Sequence, residues 1–321
     1  MLIPVIWLNA LVYASELTLL SIGFTLTYLT AKIPNFAHGT YAGVGIYVSF
    51  TFSRILGMSP YLSFPLAFIL GGIISVLIYI LVINVLTKMG GGAIVLTIAT
   101  LAIQIFLTAL INIYAYWARD VYTVYTSSFL LKEFDFEWLE FPGIFPVSIG
   151  ISIIAVIVLH FLLTRTKIGI AMRATSEDAE LSSVLGININ QIQLFSWFLT
   201  GGLACLAGAM IPMWFQSTPT TGSAIITSIM AGSLLGGFES IYGAIIGGFA
   251  VGLSEILLTY LGTSLIGAWV GEYRPLVPMF FLIAVLLIEP RGLQGAYERI
   301  IAPRRTKQSI EKAISGEEKK E

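Results

Sequence analysis

The sequence predicts an all-α polytopic membrane protein of about 8–10 transmembrane or re-entrant helices, and three observations predict it. Of 321 residues, 57% are hydrophobic and only 11% are charged, where a soluble domain carries about 25% charged residues. The apolar residues fall into nine runs, at 4–30, 40–56, 61–86, 93–115, 144–163, 191–213, 223–238, 241–262 and 275–290, most of them close to the about 20 residues that span a bilayer as a helix. The charges gather between and after these runs, which divides the chain into a transmembrane domain, 1–297, and a short charged tail, 298–321, without apolar periodicity and expected to be frayed or disordered. The net charge of −1 gives no bulk attraction for nucleic acid.

The first run lacks a basic leader and a small-residue cleavage site, so it reads as a retained span. The second and seventh runs are short and rich in glycine and serine. Each reads as a full span, a half-helix or a re-entrant segment. Loop 164–190 holds Arg165, Lys167 and Arg173, and the tail from 291 holds eight further basic residues, so these two segments carry eleven of the seventeen. Both are expected to be cytoplasmic, and an even number of crossings between them requires 223–238 to count as one. Loop 116–143 is acidic, with Asp120, Glu133, Asp135, Glu137 and Glu140, and its Tyr116, Trp117 and Trp138 suit the membrane interface on the outer side.

Between the first two runs lies KIPNFAHG, residues 32–39. Pro34 pushes Ile33 away from helical geometry. Asn35 can then cap a new helix by accepting from amides two or three residues on, with His38 in its first turn. Two readings are open: a capped loop at the membrane surface, or a broken helix, which membrane depth tolerates only beside protein or a wet cavity. Glu16 and Glu255 fall inside spans, where a charge is expensive and a functional suspect by default. Each reads either as a group facing a cavity or as a hydrogen bond to a neighbouring helix. His160 and Arg54 lie near span ends, where they can reach the interface.

Gly243, Gly247, Gly248 and Gly252 form overlapping small-xxx-small pairs, as do Gly39 and Gly43, and such spacing lets helices approach closely in lipid. A short likeness between GGAIVLTIATLAI, 91–103, and GSAIITSIMAGSL, 222–234, is compatible with an internal inverted repeat. The single cysteine, Cys205, sits in an apolar run and reads as a packing residue. The sequence has no phosphate-binding G-x-x-x-x-G-K-[ST], no H-E-x-x-H and no G-x-S-x-G, and no cluster with metal-ligand spacing. The chain therefore does not hydrolyse ATP by that route, and the energy for any driven process is expected from ions or from partners.

Four stretches carry a family resemblance. GFTLTYLTAKIPNFAHG (23–39), TKIGIAMRATSEDAELSSVLGININ (166–190), GSLLGGFESIYGAIIGGFAVGLSE (232–255) and EPRGLQG (289–295) occur in order and at family spacing. Together they resemble permease subunits of branched-chain amino-acid ABC importers, in the paralogue type that carries NFAHG. Glu16, where the family is usually apolar, and Glu289, where it often has arginine, depart from the pattern.

The resemblance implies the ABC importer permease fold and a chain that is not an enzyme. It implies a second permease subunit, ABC ATPase subunits that use ATP as cofactor, an extracytoplasmic substrate-binding protein, and an amino-acid substrate. It places the chain as a multi-pass protein in the lipid bilayer of the cell (plasma or inner) membrane, with the C-terminus cytoplasmic. It assigns the translocation pathway to Asn35, Phe36, His38, Gly39 and Glu255. It assigns the ATPase-coupling loop to Arg173, Ala174, Thr175, Glu177, Asp178, Leu181, Leu185 and Gly186. There Thr175 to Asp178 would open a short helix with a cap and acids, and Leu181, Val184 and Leu185 would form its apolar stripe. The competing reading is an ion-coupled secondary transporter of a small polar solute, with Glu16 and Glu255 as proton sites.

Overall fold

A computed structural model describes residues 4–295. The tail expected at 298–321, with its seven basic residues, lies outside the described residues. In chain order the helices are α1 (Val5–Ala31), α2 (His38–Phe50), α3 (Ser63–Ile78), α4 (Asn84–Lys88), α5 (Ala93–Tyr122), α6 (Ile144–Arg165), α7 (Lys167–Glu177), α8 (Ala179–Val184), α9 (Ile189–Met210), α10 (Thr221–Ala224), α11 (Ile226–Gly236), α12 (Ile241–Leu265) and α13 (Leu276–Ile288). A π-helical turn, Thr51–Ile55, extends α2, and another, Tyr79–Ile83, joins α3 to α4. A two-stranded hairpin, β1 (Glu137–Trp138) and β2 (Phe141–Pro142), sits in the acidic loop.

Seven helices among the described residues are long and apolar enough to cross a membrane. They match seven of the nine apolar runs; the other two runs are the ones the sequence marks as short. Helix α5 outruns its expected end at 115, because Tyr116, Trp117, Arg119 and Asp120 continue the helix after the apolar stretch has ended.

Two rims are recognisable from side-chain contacts. On one, Lys32 pairs with Glu239 at 3.0 Å, and Arg173 and Ser176 line a cavity together with Glu239 and Ser240. The same rim holds Arg291, beside Phe238 and Glu239. On the other, Arg54 pairs with Glu133 at 2.5 Å, Tyr61 bonds Asp135, and Trp214 Nε1 donates to Asn9 at 2.8 Å. The loop 166–186 and Arg291 therefore share a face, opposite the acidic loop. The segment 217–237 joins the two: Phe129 and Ser217 exchange backbone hydrogen bonds on the acidic side, and Gly237 abuts Arg291 on the basic side. Four passages separate loop 166–186 from Arg291, the even number the charge distribution requires.

Helix α1 is the centre. It packs against α12, α9, α6 and α11. Toward α12 the contact depends on missing side chains: a Cβ at Gly248 would lie 2.9 Å from Ser21 Cβ, and one at Gly252 would lie 2.6 Å from Ala14 Cα. Gly243 and Gly247 give α12 the same close approach to Gly236 and Gly232 of α11. Toward α9 the contact is a ladder of hydroxyls. Thr27 donates to Thr200 at 2.9 Å, Thr200 to the Gly23 carbonyl at 2.9 Å, and Thr30 to Ser196 at 2.9 Å. Lipid supplies no hydrophobic drive between helices, so backbone proximity and hydrogen bonds hold this core.

The likeness between 91–103 and 222–234 goes no further than the sequence. The first lies in a 30-residue helix, α5, with much of its surface exposed; the second builds an 11-residue buried half-helix, α11.

Candidate functional site

Helix α1 ends at Ala31 on a left-handed Lys32, φ 54°, two residues before Pro34. Asn35 Oδ1 then accepts from the Ala37 amide at 3.1 Å, and α2 starts at His38. His38 Nε2 donates to the carbonyl of Leu20 at 2.9 Å, which fixes the depth of that start. Leu20 lies eleven residues above the end of α1, about 17 Å at helical rise. Residues 32–37 therefore run back from the basic rim through a bend and a turn, and α2 starts well inside the bundle and runs toward the acidic rim.

The seventh run is the counterpart. Its helix α11 fills the near half, and α10, just before it, meets the start of α2: a Cβ at Gly39 would run into the Gly222 carbonyl, and Gly43 lies against Gly222 as well. Two half-helices thus meet at mid-depth on three glycines. Of the two readings of KIPNFAHG, the geometry is that of the broken helix.

The environment of the named residues is closed. Asn35 and His38 are buried within the chain, and Phe36 is half-buried with its amide donating to Thr100 Oγ1 at 3.2 Å. His38 sits edge-on to Phe24 and Tyr41, with ring centroids 5.9 and 6.2 Å away, in space left by Gly23. Its Nδ1 makes no hydrogen bond among the described residues, and the Tyr41 hydroxyl faces the Asn35 and Ser75 side chains. Tyr41 and Ser75 carry no signal in the sequence, whereas Gly23 opens the stretch GFTLTYLTAKIPNFAHG that ends on His38 and Gly39.

Glu255 lies on α12 toward the acidic rim. Tyr13 of α1 donates to its two oxygens at 3.0 and 3.1 Å, and Arg274 Nε donates at 2.7 Å. The guanidinium also stacks over the Tyr13 ring, 4.2 Å from its centroid, and faces Phe215 at 5.7 Å. Glu255 is thus a paired carboxylate, bonded across helices. Glu16, one turn along α1 from Tyr13, is different: it is 1% exposed, and neither oxygen accepts a hydrogen bond among the described residues. His160 meets Tyr242 at 2.7 Å, and Arg54 reaches out to the acidic loop. Among the described residues, no group of His, Cys, Asp and Glu could hold a metal ion.

On the basic face, α7 begins on a Thr166 cap and runs to Glu177. Asp178 caps α8, its Oδ1 accepting from the Leu181 amide at 2.9 Å, and Gly186, φ 87°, closes it. This corrects one expectation: Thr175, Ser176 and Glu177 end α7 and do not open α8, and the Thr175 side chain is buried. The capping falls to Asp178 alone, because only there does the backbone turn extended between the two helices. Leu181, Val184 and Leu185 are 58%, 82% and 73% exposed, an apolar stripe that nothing among the described residues covers. Arg173 and Gly186 are exposed, and Ala174 is half-buried.

The family model for the branched-chain amino acid transport system permease component matches residues 6–287. The chain is 40% identical over 287 residues to a Methanocaldococcus jannaschii protein described as "Probable branched-chain amino acid transport permease protein LivH", covering 89% of this chain and 91% of that one. It is 26% identical over 298 residues to the high-affinity branched-chain amino acid transport system permease protein BraD of Pseudomonas aeruginosa, covering 90% and 95%. A fainter structural likeness, TM-score 0.48 at 15% identity over 91% and 94% of the chains, is to PsaBC from Streptococcus pneumoniae in complex with Fab.

Proposed function

From the premise that the chain belongs to the branched-chain amino acid transport system permease family, a family of membrane transport permeases and not of enzymes, we propose that it carries branched-chain or related amino acids. In this reading it forms the pathway with a second permease subunit in the cell membrane. An extracytoplasmic binding protein delivers the solute to the face of the acidic loop, and separate ATPase subunits use ATP on the opposite, cytoplasmic face, where the C-terminal tail also lies. The basic residues Lys32, Lys88, Arg165, Lys167, Arg173 and Arg291 on that face support the orientation.

The single observation that carries the reading is the bare apolar stripe of α8. Leu181, Val184 and Leu185 project on one side of a helix capped by Asp178, in a chain without a nucleotide-binding loop. An amphipathic helix of this kind docks its apolar face in a groove on a partner. Arg173 is the ion-pair anchor beside it, and Ala174, Glu177 and Gly186 complete the docking element. Within the membrane, the pathway follows the meeting point of the two half-helices, where Asn35, Phe36, His38 and Gly39 set the break in α2, with Glu255 above it. There His38 and Asn35 act by holding the break in place.

The test is co-purification. A tagged chain extracted gently is expected to bring down a P-loop ATPase and a second hydrophobic permease. The double variant L181D/L185D is expected to lose the ATPase and keep the permease. Recovery of the ATPase at wild-type level with the double variant would remove α8 from the coupling role.

A further inference from the structure

Four spans lie on the outside, with between 17% and 33% of their span-length windows buried: α3 with its continuation to Lys88, α5, α6 and α13. Helices α3, α6 and α13 contain neither Asn nor Gln, the composition that suits a helix facing hydrocarbon. Helix α5 is as exposed as they are and differs. Thr97, Gln104, Thr108 and Asn112 recur along it at spacings of seven, four and four residues, which puts them on one side. Thr108 stands at the midpoint of the helix, so this polar stripe crosses the middle of the membrane.

The helix itself satisfies only part of the stripe. Thr97 donates to the Ala93 carbonyl, Thr108 to the Gln104 carbonyl and Asn112 Nδ2 to the Thr108 carbonyl, each at 2.8 Å. The Asn112 Oδ1 and the whole side-chain amide of Gln104 have no partner among the described residues. Gln104, Thr108 and Asn112 are all part-exposed, and an unpaired amide is costly to leave in hydrocarbon. The neighbours give the direction. On one flank, α5 turns Leu107, Leu110, Ile111 and Tyr114 to an apolar cleft shared with α2 and α3; the stripe runs on the other flank. Thr100 of α5 receives the Phe36 amide at 3.2 Å. A Cβ at Gly43 would lie 3.0 Å from Ile111 Cδ1 and 3.7 Å from Gly222 Cα. Thr100 and Ile111 bracket Gln104 and Thr108, so the stripe runs alongside the meeting point of the two half-helices.

We propose that Gln104, Thr108 and Asn112 of α5 form a wall of the aqueous translocation pathway, so that water, and neither lipid nor another helix, covers this side of α5. This rests on the importer reading and deepens it, by naming the side of the break along which the solute moves. Carboxamides and hydroxyls offer both donors and acceptors, so they exchange hydrogen bonds with water and with a zwitterionic solute alike. None of the three carries a charge that would hold the solute in place.

The experiment is cysteine labelling of the complete complex in liposomes. Cys205 is the one cysteine of the sequence and is buried, so introduced thiols are read against a low background. Gln104→Cys, Thr108→Cys and Asn112→Cys are compared with Phe106→Cys and Ile113→Cys, whose native side chains are 62% and 63% exposed on the apolar side of the same helix. A charged methanethiosulfonate reagent is supplied on both faces of the membrane, at rest and during ATP turnover. In at least one of these conditions the stripe thiols should react about tenfold faster or more than the two controls, because only the thiolate reacts and hydrocarbon disfavours it.

Stripe thiols that react no faster than the controls in either condition would overturn the proposal. So would stripe thiols that react only when the second permease is left out, since the stripe would then be a subunit interface. The three positions are independent, so the others decide if one variant fails to assemble. Leucine uptake by the parent complex, dependent on ATP and the binding protein, separates the two levels. Uptake with an unreactive stripe removes the wall and keeps the importer reading; a reactive stripe without such uptake keeps the water-lined face and removes the importer reading.

Discussion

Helices α1 and α6 have almost opposite surroundings. The span-length window of α1 is 72% buried with mean hydropathy 1.6, and that of α6 is 22% buried with mean hydropathy 2.5. The more apolar helix is the one on the outside. Helix α6 exposes Ile153, Ile154, Ile157, Val158 and Phe161, whereas α1 buries Ser15, Glu16, Thr18, Ser21, Thr25, Thr27 and Thr30. Water would sort these helices the other way. Lipid is as apolar as isoleucine, so what earns a central position is a small residue that admits a neighbouring backbone, or a hydroxyl that needs a partner.

That comparison can be broken by substitution, and the expected costs descend in order. Gly252→Leu would drive a side chain into Ala14 of α1, whose Cα lies 2.6 Å from the Cβ position. Overpacking of this kind costs about 3 kcal/mol or more, read as loss of monodisperse protein in detergent. Arg274→Gln, which leaves buried Glu255 without its cation, should cost about 2–3 kcal/mol, below the fully buried range because the guanidinium is part-exposed. It is measured as a lowered midpoint of thermal unfolding. Thr200→Val removes the middle rung between Thr27 and Gly23, and such bonds in membranes average about 0.6 kcal/mol. Ile154→Ala on the bare face of α6 should change the same midpoint by less than about 0.5 kcal/mol. If Ile154 mattered more than Thr200, the ranking would fail and α6 would have to meet another chain.

Much of this is legible in the sequence. The nine apolar runs became helices because length and hydropathy are local properties. The break at Lys32–His38 could be read because Pro34 and Asn35 act on their immediate neighbours: Lys32 ends α1, and the Asn35 side chain accepts from the Ala37 amide in the turn before α2, whose own N-cap, Ala37, has no side-chain bond. The depth of that break could not be read, because it depends on His38 finding the Leu20 carbonyl across a chain reversal. The charged cluster was half visible. Glu16 and Glu255 stand out as acids within apolar runs, but Arg274 follows an exposed turn and looks like an ordinary loop cation. Tyr13 and Glu255 are 242 residues apart, and no pattern in one sequence links them. The sequence does not single out the cap of α8, because Thr175, Ser176 and Asp178 are all competent caps; the extended backbone at Asp178 chooses among them.

The most direct test of the central claim is transport by the reassembled system. The chain, its second permease and the ATPase subunits would be reconstituted in liposomes, with labelled leucine and the binding protein outside and ATP supplied within. Uptake that requires both ATP and the binding protein, and that an imposed proton or sodium gradient cannot replace, is the expected result. Uptake by this chain alone, driven by an ion gradient without ATP, would contradict the account and return Glu16 and Glu255 to the role of ion-coupling sites.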